Sequence, residues 1–365
     1  MVLSVHSGAA SFDVLGGADH SAPVRTAQAF RAGLAVGPDT SEGCGMSGVK
    51  LGIALWSQAS DWPSFLGAAR RAEDLGYDHV WTWDHLYPIF GDISQPIFEG
   101  YAALAAVAQA TSRIRLGLFV GANTFRNPGL AAKALTTIDH ISDGRAILGI
   151  GGAWFEPEHQ AFGIDFGSGF GQRLDWLAEA VPAIRTLLDG GEVTSDAGGS
   201  FRFDHLRVAP RPVQPHLPIM IGGGGERKTL RIVAEHADIW NVFGLPETVA
   251  HKSAVLDEHC AAVGRDPRAI ERTVGCKIVI GSTEADARRK CDAIVAHNRI
   301  PPERLAEDVT WWIGTPEQIA ETILGYRAVG FHTFLCETPA PYDAETMETL
   351  IGVVKPMVDR AVTPA

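Results

Sequence analysis

Two ionisable residues in tandem, Asp84 and His85, close the apolar run DHVWTW (78–83) and are followed by Leu-Tyr-Pro. Imidazole titrates near neutrality, so a histidine at the end of a strand can take or give a proton while a hydride moves nearby. A histidine fixed structurally by its neighbours would read the same way. A second group lies where IRLGLFV (114–120) runs into GANTFRNP and the chain must turn abruptly at Phe119, Val120 and Gly121. Either a strained peptide shapes a pocket there, or an ordinary turn leaves Asn123 and Arg126 in water. A third is the end of RAILGIG (145–151), where Gly149, Gly151 and Gly152 precede Ala153 and Trp154 and would let a planar ring or a phosphate approach the backbone. The GxGxxG spacing of a dinucleotide-binding turn is missing there.

The strongest local signal is PIMIGGGGERKTLRIVAEHADIW (218–240), with four consecutive glycines, Gly222 to Gly225, between a strand and a helix beginning near Glu226. Free N–H groups at that helix start, beside Arg227 and Lys228, would form a phosphate cradle. Glycines that only permit tight turning are the alternative, but four in a row are costly in chain entropy without a ligand. The P-loop pattern GxxxxGK[ST] is absent. Glu156, Glu158 and His159 cluster without HExxH or another ligand spacing, so they read as a solvated acidic loop and no metal is expected. No GxSxG elbow is present, which disfavours hydrolase chemistry.

These residues need a scaffold that brings strand ends to one face. From Val49 onward, apolar runs of strand length alternate with amphipathic stretches of helix length, the pattern of βα units around a parallel sheet. Eight strands are predicted: 49–56, 78–83, 114–120, 145–151, 218–223, 238–243, 275–281 and 332–337. Asp61-Trp62-Pro63 opens a helix over 63–75, Asn127-Pro128 one over 128–141, and Thr315-Pro316-Glu317-Gln318 one over 316–328, the last as a capping box. Ser142-Asp143-Gly144 is a turn. The count predicts an α/β fold, a (β/α)8 barrel, with its site at the C-terminal ends of the strands. The stretch 190–218 departs from the repeat and reads as a hairpin insertion and extended loop at the rim, placed either to lid the site or merely to decorate it.

The chain has 365 residues, 46% hydrophobic and 20% charged, enough to bury a large core. Its formal net charge of −12 and the lack of a Lys/Arg stripe argue against nucleic acid as a partner. No run approaches the roughly 18 apolar residues of a membrane span. Five cysteines, widely spaced and never as CxxC, suit reduced thiols in a cytoplasm, packed as small hydrophobes. Residues 1–46 are small, polar and Gly-rich, with neither the basic nor the apolar region of a signal peptide, and read either as a disordered extension or as the product of a misassigned start, before a domain spanning 47–365.

Taken together, LGIALWSQ, AEDLGYDHVWTWDHL, IRLGLFVGANTFRNPGLAAKALTTIDHISDGRAILGIGGAWFEPEHQAFGI and PIMIGGGGERKTLRIVAEHADIWNVFG resemble the luciferase-like flavin-dependent family, and within it the branch that uses the deazaflavin coenzyme F420. The resemblance runs in order through nearly all of 49–357. It implies a bacterial-luciferase-like barrel with the cofactor ring at its C-terminal mouth and a homodimer. It also implies a non-proline cis peptide after the third strand, here Phe119–Val120, and phosphate binding at Gly222 to Gly225 with Arg227. Asn123, Gly151, Gly152 and Trp154 join the implied cofactor site. His85 falls on the histidine that F420-dependent sugar-phosphate dehydrogenases place beside the reacting ring, with Asp84 expected to orient it and to contact the cofactor. Those enzymes carry a tryptophan where this chain has Ile89 and a glutamate where it has Trp154, which makes glucose 6-phosphate a poor candidate. A pocket of Trp83, Ile89, Phe90, Phe119 and Trp154 suits a flatter, less charged molecule. The reaction implied is hydride exchange between F420 and a small, largely apolar substrate. An FMN-dependent monooxygenase and a non-catalytic cofactor carrier are the alternatives.

Overall fold

The structure, a computed structural model, describes residues 48–195 and 197–362. The expected extension 1–46, with Cys44 in it, lies outside the described residues. Eight parallel strands close on themselves: β1 (Lys50–Leu55), β2 (His79–Thr82), β3 (Arg115–Leu118), β4 (Ala146–Gly151), β5 (Ile219–Gly222), β6 (Ile239–Val242), β7 (Glu271–Ile280) and β8 (Thr333–Thr338). β8 pairs with both β7 and β1, which completes the barrel. Two short strands lie outside this ring: Gly121–Ala122 beside the end of β4, and Trp311–Gly314 beside the end of β7.

Parallel strands covered by helices are buried on both faces, which is why they read as continuous apolar runs. Leu51, Ile53 and Leu55 of β1 pack outward into the main core with Phe65 and Leu104. Ala54, Trp81, Ile147, Met220, Ile239 and Leu335 belong to a separate cluster that also holds Trp56, Trp83 and Phe119. The helix signals are realised as Trp62–Leu75, Pro128–Ile141 and Pro316–Arg327. Asp61 caps the first by accepting from the Ser64 amide at 2.8 Å, and the Thr315–Gln318 capping box forms. The four described cysteines are buried free thiols.

Three local expectations change. The helix after the glycine run is Thr229–His236, so Glu226, Arg227 and Lys228 form a turn before it. The insertion 190–218 makes one antiparallel bridge, Val193 with Leu206, instead of a full hairpin. It is not a lid: Leu206 and Phe203 lie over Gly129, and the Gln214 side chain bonds Asp139 at 2.7 Å, so the segment follows helix Pro128–Ile141 and none of its described residues lines the cavity described below. The supposed acidic loop contains a short helix, Glu156–Phe162.

Gly149 shows how tightly β3 and β4 meet, since a Cβ there would stand 1.8 Å from the Leu118 carbonyl oxygen. Backbone must move to admit a methyl group. Gly149→Ala is therefore expected to cost about 1–3 kcal/mol, as overpacking does, read as a lower urea midpoint. An unchanged midpoint would show that these two strands separate freely.

Candidate active site

At the C-terminal ends of the strands lies a cavity of about 410 Å³. Its walls are mostly apolar, with Trp83, Ile89, Phe90, Phe119, Val120, Trp154 and Phe243 among them, and a few polar groups converge on it: His85, Glu158, Asn241, Lys277, Asp308, Thr310 and Glu337. That composition and size are typical of a small-molecule site. β2 places His85 by ending at Thr82, so that the next residues turn over the mouth of the barrel.

His85 and Asp84 diverge. The His85 Nδ1 lies 2.8 Å from Glu158 Oε1, and Glu158 is 1% exposed. Glu158 Oε2 accepts from the Leu86 amide at 2.7 Å, so one carboxylate holds both the imidazole and the loop that carries it. A carboxylate only accepts, which puts the Nδ1 proton toward Glu158 and leaves Nε2 as the ring nitrogen open to the cavity. Edge-on contacts with Trp83 at 6.1 Å and Trp154 at 5.8 Å confine the ring. The solvated reading of Glu158 is thus corrected: its neighbour His159 is buried as well, bonded to Thr124 Oγ1 at 2.7 Å, and burial holds its pKa below the usual value. Only Glu156 of the trio is exposed.

Asp84, expected to orient His85, instead meets Arg126 through two hydrogen bonds of 2.7 and 2.9 Å and accepts from the Ala122 amide at 2.9 Å. Burial raises the Asp84 carboxyl against the pull of that guanidinium. Burial also works against the charge of Arg126, but Asp84, with Glu99 behind it, holds Arg126 well above its ordinary value. Arg126 is thus no solvated loop residue; it also lies 4.5 Å from the centre of the Tyr101 ring.

The Phe119–Val120 peptide is cis. Val120 lies against the two glycines opposite, since a Cβ on Gly151 or Gly222 would stand 2.9 or 3.0 Å from Val120 Cγ2. Those glycines therefore make room for Val120, and Gly152 does so for Leu174, 3.1 Å from its would-be Cβ. Gly222 and Gly223 line the cavity, whereas Gly224, Gly225 and Arg227 do not. The loop is nevertheless donor-rich. Lys252 reaches over from helix Pro246–Val263 to bond the Gly224 carbonyl at 2.7 Å, and Thr229 Oγ1 lies 2.8 Å from where a Gly225 Cβ would be. Lys228 is committed to Asp175 at 2.6 Å. Asn123 is 5% exposed, and its side-chain nitrogen is buried without a partner beside Ala122. Asn123 does not line the cavity but a small separate pocket with Tyr101 and Arg126. An apolar slot with glycines on its wall fits a flat heteroaromatic ring, with Thr229 and Lys252 beside the glycine run suited to a phosphate.

Sequence reading missed Glu158, Lys252 and the group Lys277, Asp308, Thr310 and Glu337. Asp308 and Thr310 follow helix Pro302–Glu307, which with Trp311–Gly314 is an excursion between the last two barrel strands that carried no recognised signal. Burial raises the Glu337 carboxyl, while the charge of Lys277 and hydrogen bonds overcome burial to lower Asp308.

The luciferase-like monooxygenase family model matches residues 48–333, and the chain belongs to that family of oxidoreductases. It is 26% identical over 307 residues to the F420-dependent hydroxymycolic acid dehydrogenase of Mycobacterium tuberculosis, covering 79% of this chain and 84% of that one. It is 31% identical over 197 residues to the pyrimidine monooxygenase RutA of Pantoea ananatis, 53% of this chain and 52% of that one. Among solved structures, an F420-dependent secondary alcohol dehydrogenase in complex with an F420–acetone adduct superposes with a TM-score of 0.73 at 19% identity, covering 86% of this chain and 99% of that one.

Proposed function

We propose that this enzyme seats the deazaflavin of coenzyme F420 in the cavity and exchanges hydride with a small, largely apolar organic molecule. The observation that carries the reading is the His85–Glu158 pair, a cavity-facing imidazole with its Nδ1 held by a buried carboxylate. The bound cofactor would supply the two-electron chemistry, as cofactors do. Val120, Gly151, Gly152 and Gly222 would form the wall under its ring, and Thr229, Lys252 and the loop from Gly223 to Arg227 would meet the phosphate. His85 Nε2 takes a proton when the substrate gives up hydride and returns it in the opposite direction. Glu158 stabilises the imidazolium and fixes the tautomer throughout. Aromatic walls keep water from the reacting atoms.

An F420-dependent relative matched over most of both chains supports this cofactor over FMN. The monooxygenase relative supports the FMN reading over a shorter stretch. Titrating the purified protein separately with F420 and with FMN, and following cofactor fluorescence, separates the two. Tight binding of F420 is expected. Tight binding of FMN with none of F420 would overturn the assignment.

A further inference from the structure

The cavity has a second polar end that the proton path at His85 does not use. Lys277 on β7 and Glu337 on β8 are register partners on adjacent strands, and both line the cavity with Asp308 and Thr310. They are buried, 5% and 4% exposed. Lys277 Nζ donates to Thr310 Oγ1 at 2.8 Å and stands 3.0 Å from Asp308 Oδ2. Glu337 Oε2 accepts from the Trp56 indole at 2.7 Å. Trp83 hydrogen-bonds the same carboxylate, and Lys277 Nζ and Glu337 Oε1 form an ion pair 3.8 Å apart. That gap exceeds the roughly 2.7–3.2 Å of an N–H···O hydrogen bond. An ammonium has three protons and a carboxylate more lone-pair sites than two indoles fill, so each keeps capacity beyond these partners, and such capacity left unpaired in a buried place is costly. One hydroxyl oxygen set against the two would accept from Nζ and donate to Oε1, satisfying both.

Charge and shape narrow the ligand further. Two carboxylates against one ammonium leave this end with excess negative charge, so a phosphate or carboxylate would be repelled. An aromatic stretch separates it from the proton path: Trp56 lies 4.5 Å from Trp83 and 4.7 Å from Phe90, Lys277 lies 5.4 Å from Phe90, and Trp83 in turn contacts His85. We infer that Lys277 and Glu337 form a subsite for a neutral hydroxyl group carried by an otherwise apolar substrate, separate from the atom that reacts beside His85. Calling the occupant a substrate rests on the oxidoreductase reading, whereas the preference for a hydroxyl does not.

Cyclohexanol and cyclohexanecarboxylate, titrated into the full-length protein while tryptophan fluorescence is followed, test this directly, because Trp56 and Trp83 flank the subsite. The alcohol is expected to bind about tenfold tighter than the carboxylate, the scale of one hydrogen bond to a charged group. Glu337→Leu removes the acceptor and one negative charge, so it is expected to weaken the alcohol and strengthen the carboxylate, a reversal that loss of packing alone would not produce. Equal or tighter binding of the carboxylate by the unaltered protein, or binding of neither probe, would overturn the subsite, whatever the folding of the variant. F420 and FMN titrations in parallel keep the two readings apart. Alcohol preference without either cofactor would count against the oxidoreductase reading alone, and cofactor binding without alcohol preference against the subsite alone.

Discussion

Replacing His85 with Ala is expected to lower kcat by about 10²–10⁴-fold, the range of a positioned general acid or base, while cofactor affinity stays near that of the unaltered protein. The separation of effects follows from the geometry. His85 is partly exposed in the cavity wall and its anchoring partner is Glu158, so removing the ring deletes the proton path without touching Val120, the cavity-lining glycines or Lys252. Glu158→Gln should lower kcat by less than His85→Ala. It keeps the imidazole near its place but no longer stabilises the protonated ring, and one carboxamide oxygen cannot serve both His85 and the Leu86 amide as two carboxylate oxygens do. Steady-state rates with bound cofactor, set beside cofactor titrations, check both variants. Undiminished turnover in the His85→Ala enzyme would end the role given to this histidine.

The largest stability effect should come from Arg126. Its guanidinium forks onto Asp84, a carboxylate whose side chain is 0% exposed, and Arg126→Leu would leave that charge buried without its counter-ion. Breaking one side of such a pair costs about 3–5 kcal/mol. Asp84 also holds the Ala122 amide, so the loss would reach the Gly121–Ala122 segment, which lines the cavity. A double variant, Asp84→Leu with Arg126→Leu, removes both charges and should recover much of the loss, because the stranded ion is what costs energy. Urea unfolding of the single and double variants measures this. A midpoint for Arg126→Leu equal to that of the unaltered protein would show that Asp84 finds another partner or takes up a proton at little cost.

Parts of the site were legible from residue type and position. His85 stood out because it follows a strand-length apolar run, and strand ends in this architecture face one mouth. The glycine run stood out because glycine is costly to order, yet the structure divides its work: Gly222 accommodates Val120, while Gly224 and Gly225 crowd against Lys252 and Thr229. Glu158 was illegible because a glutamate between Pro157 and His159 in a charged stretch reads as solvated. Its burial depends on a histidine 73 positions earlier. Asp84 misled for the matching reason, since adjacency in sequence suggested His85 as its partner when Arg126, 42 residues away, was the real one.

The sequence alone determined the barrel, its eight strands and the face on which chemistry would gather. Burial on both sides of a parallel strand writes itself as an apolar run, and prolines and capping residues mark where helices begin. The tertiary structure alone decided which charge meets which: His85 with Glu158, Asp84 with Arg126, Lys277 between Asp308 and Glu337. Hydrogen bonds and ion pairs depend on distances of a few ångströms between residues far apart in the chain, and no local pattern of residue types records those distances.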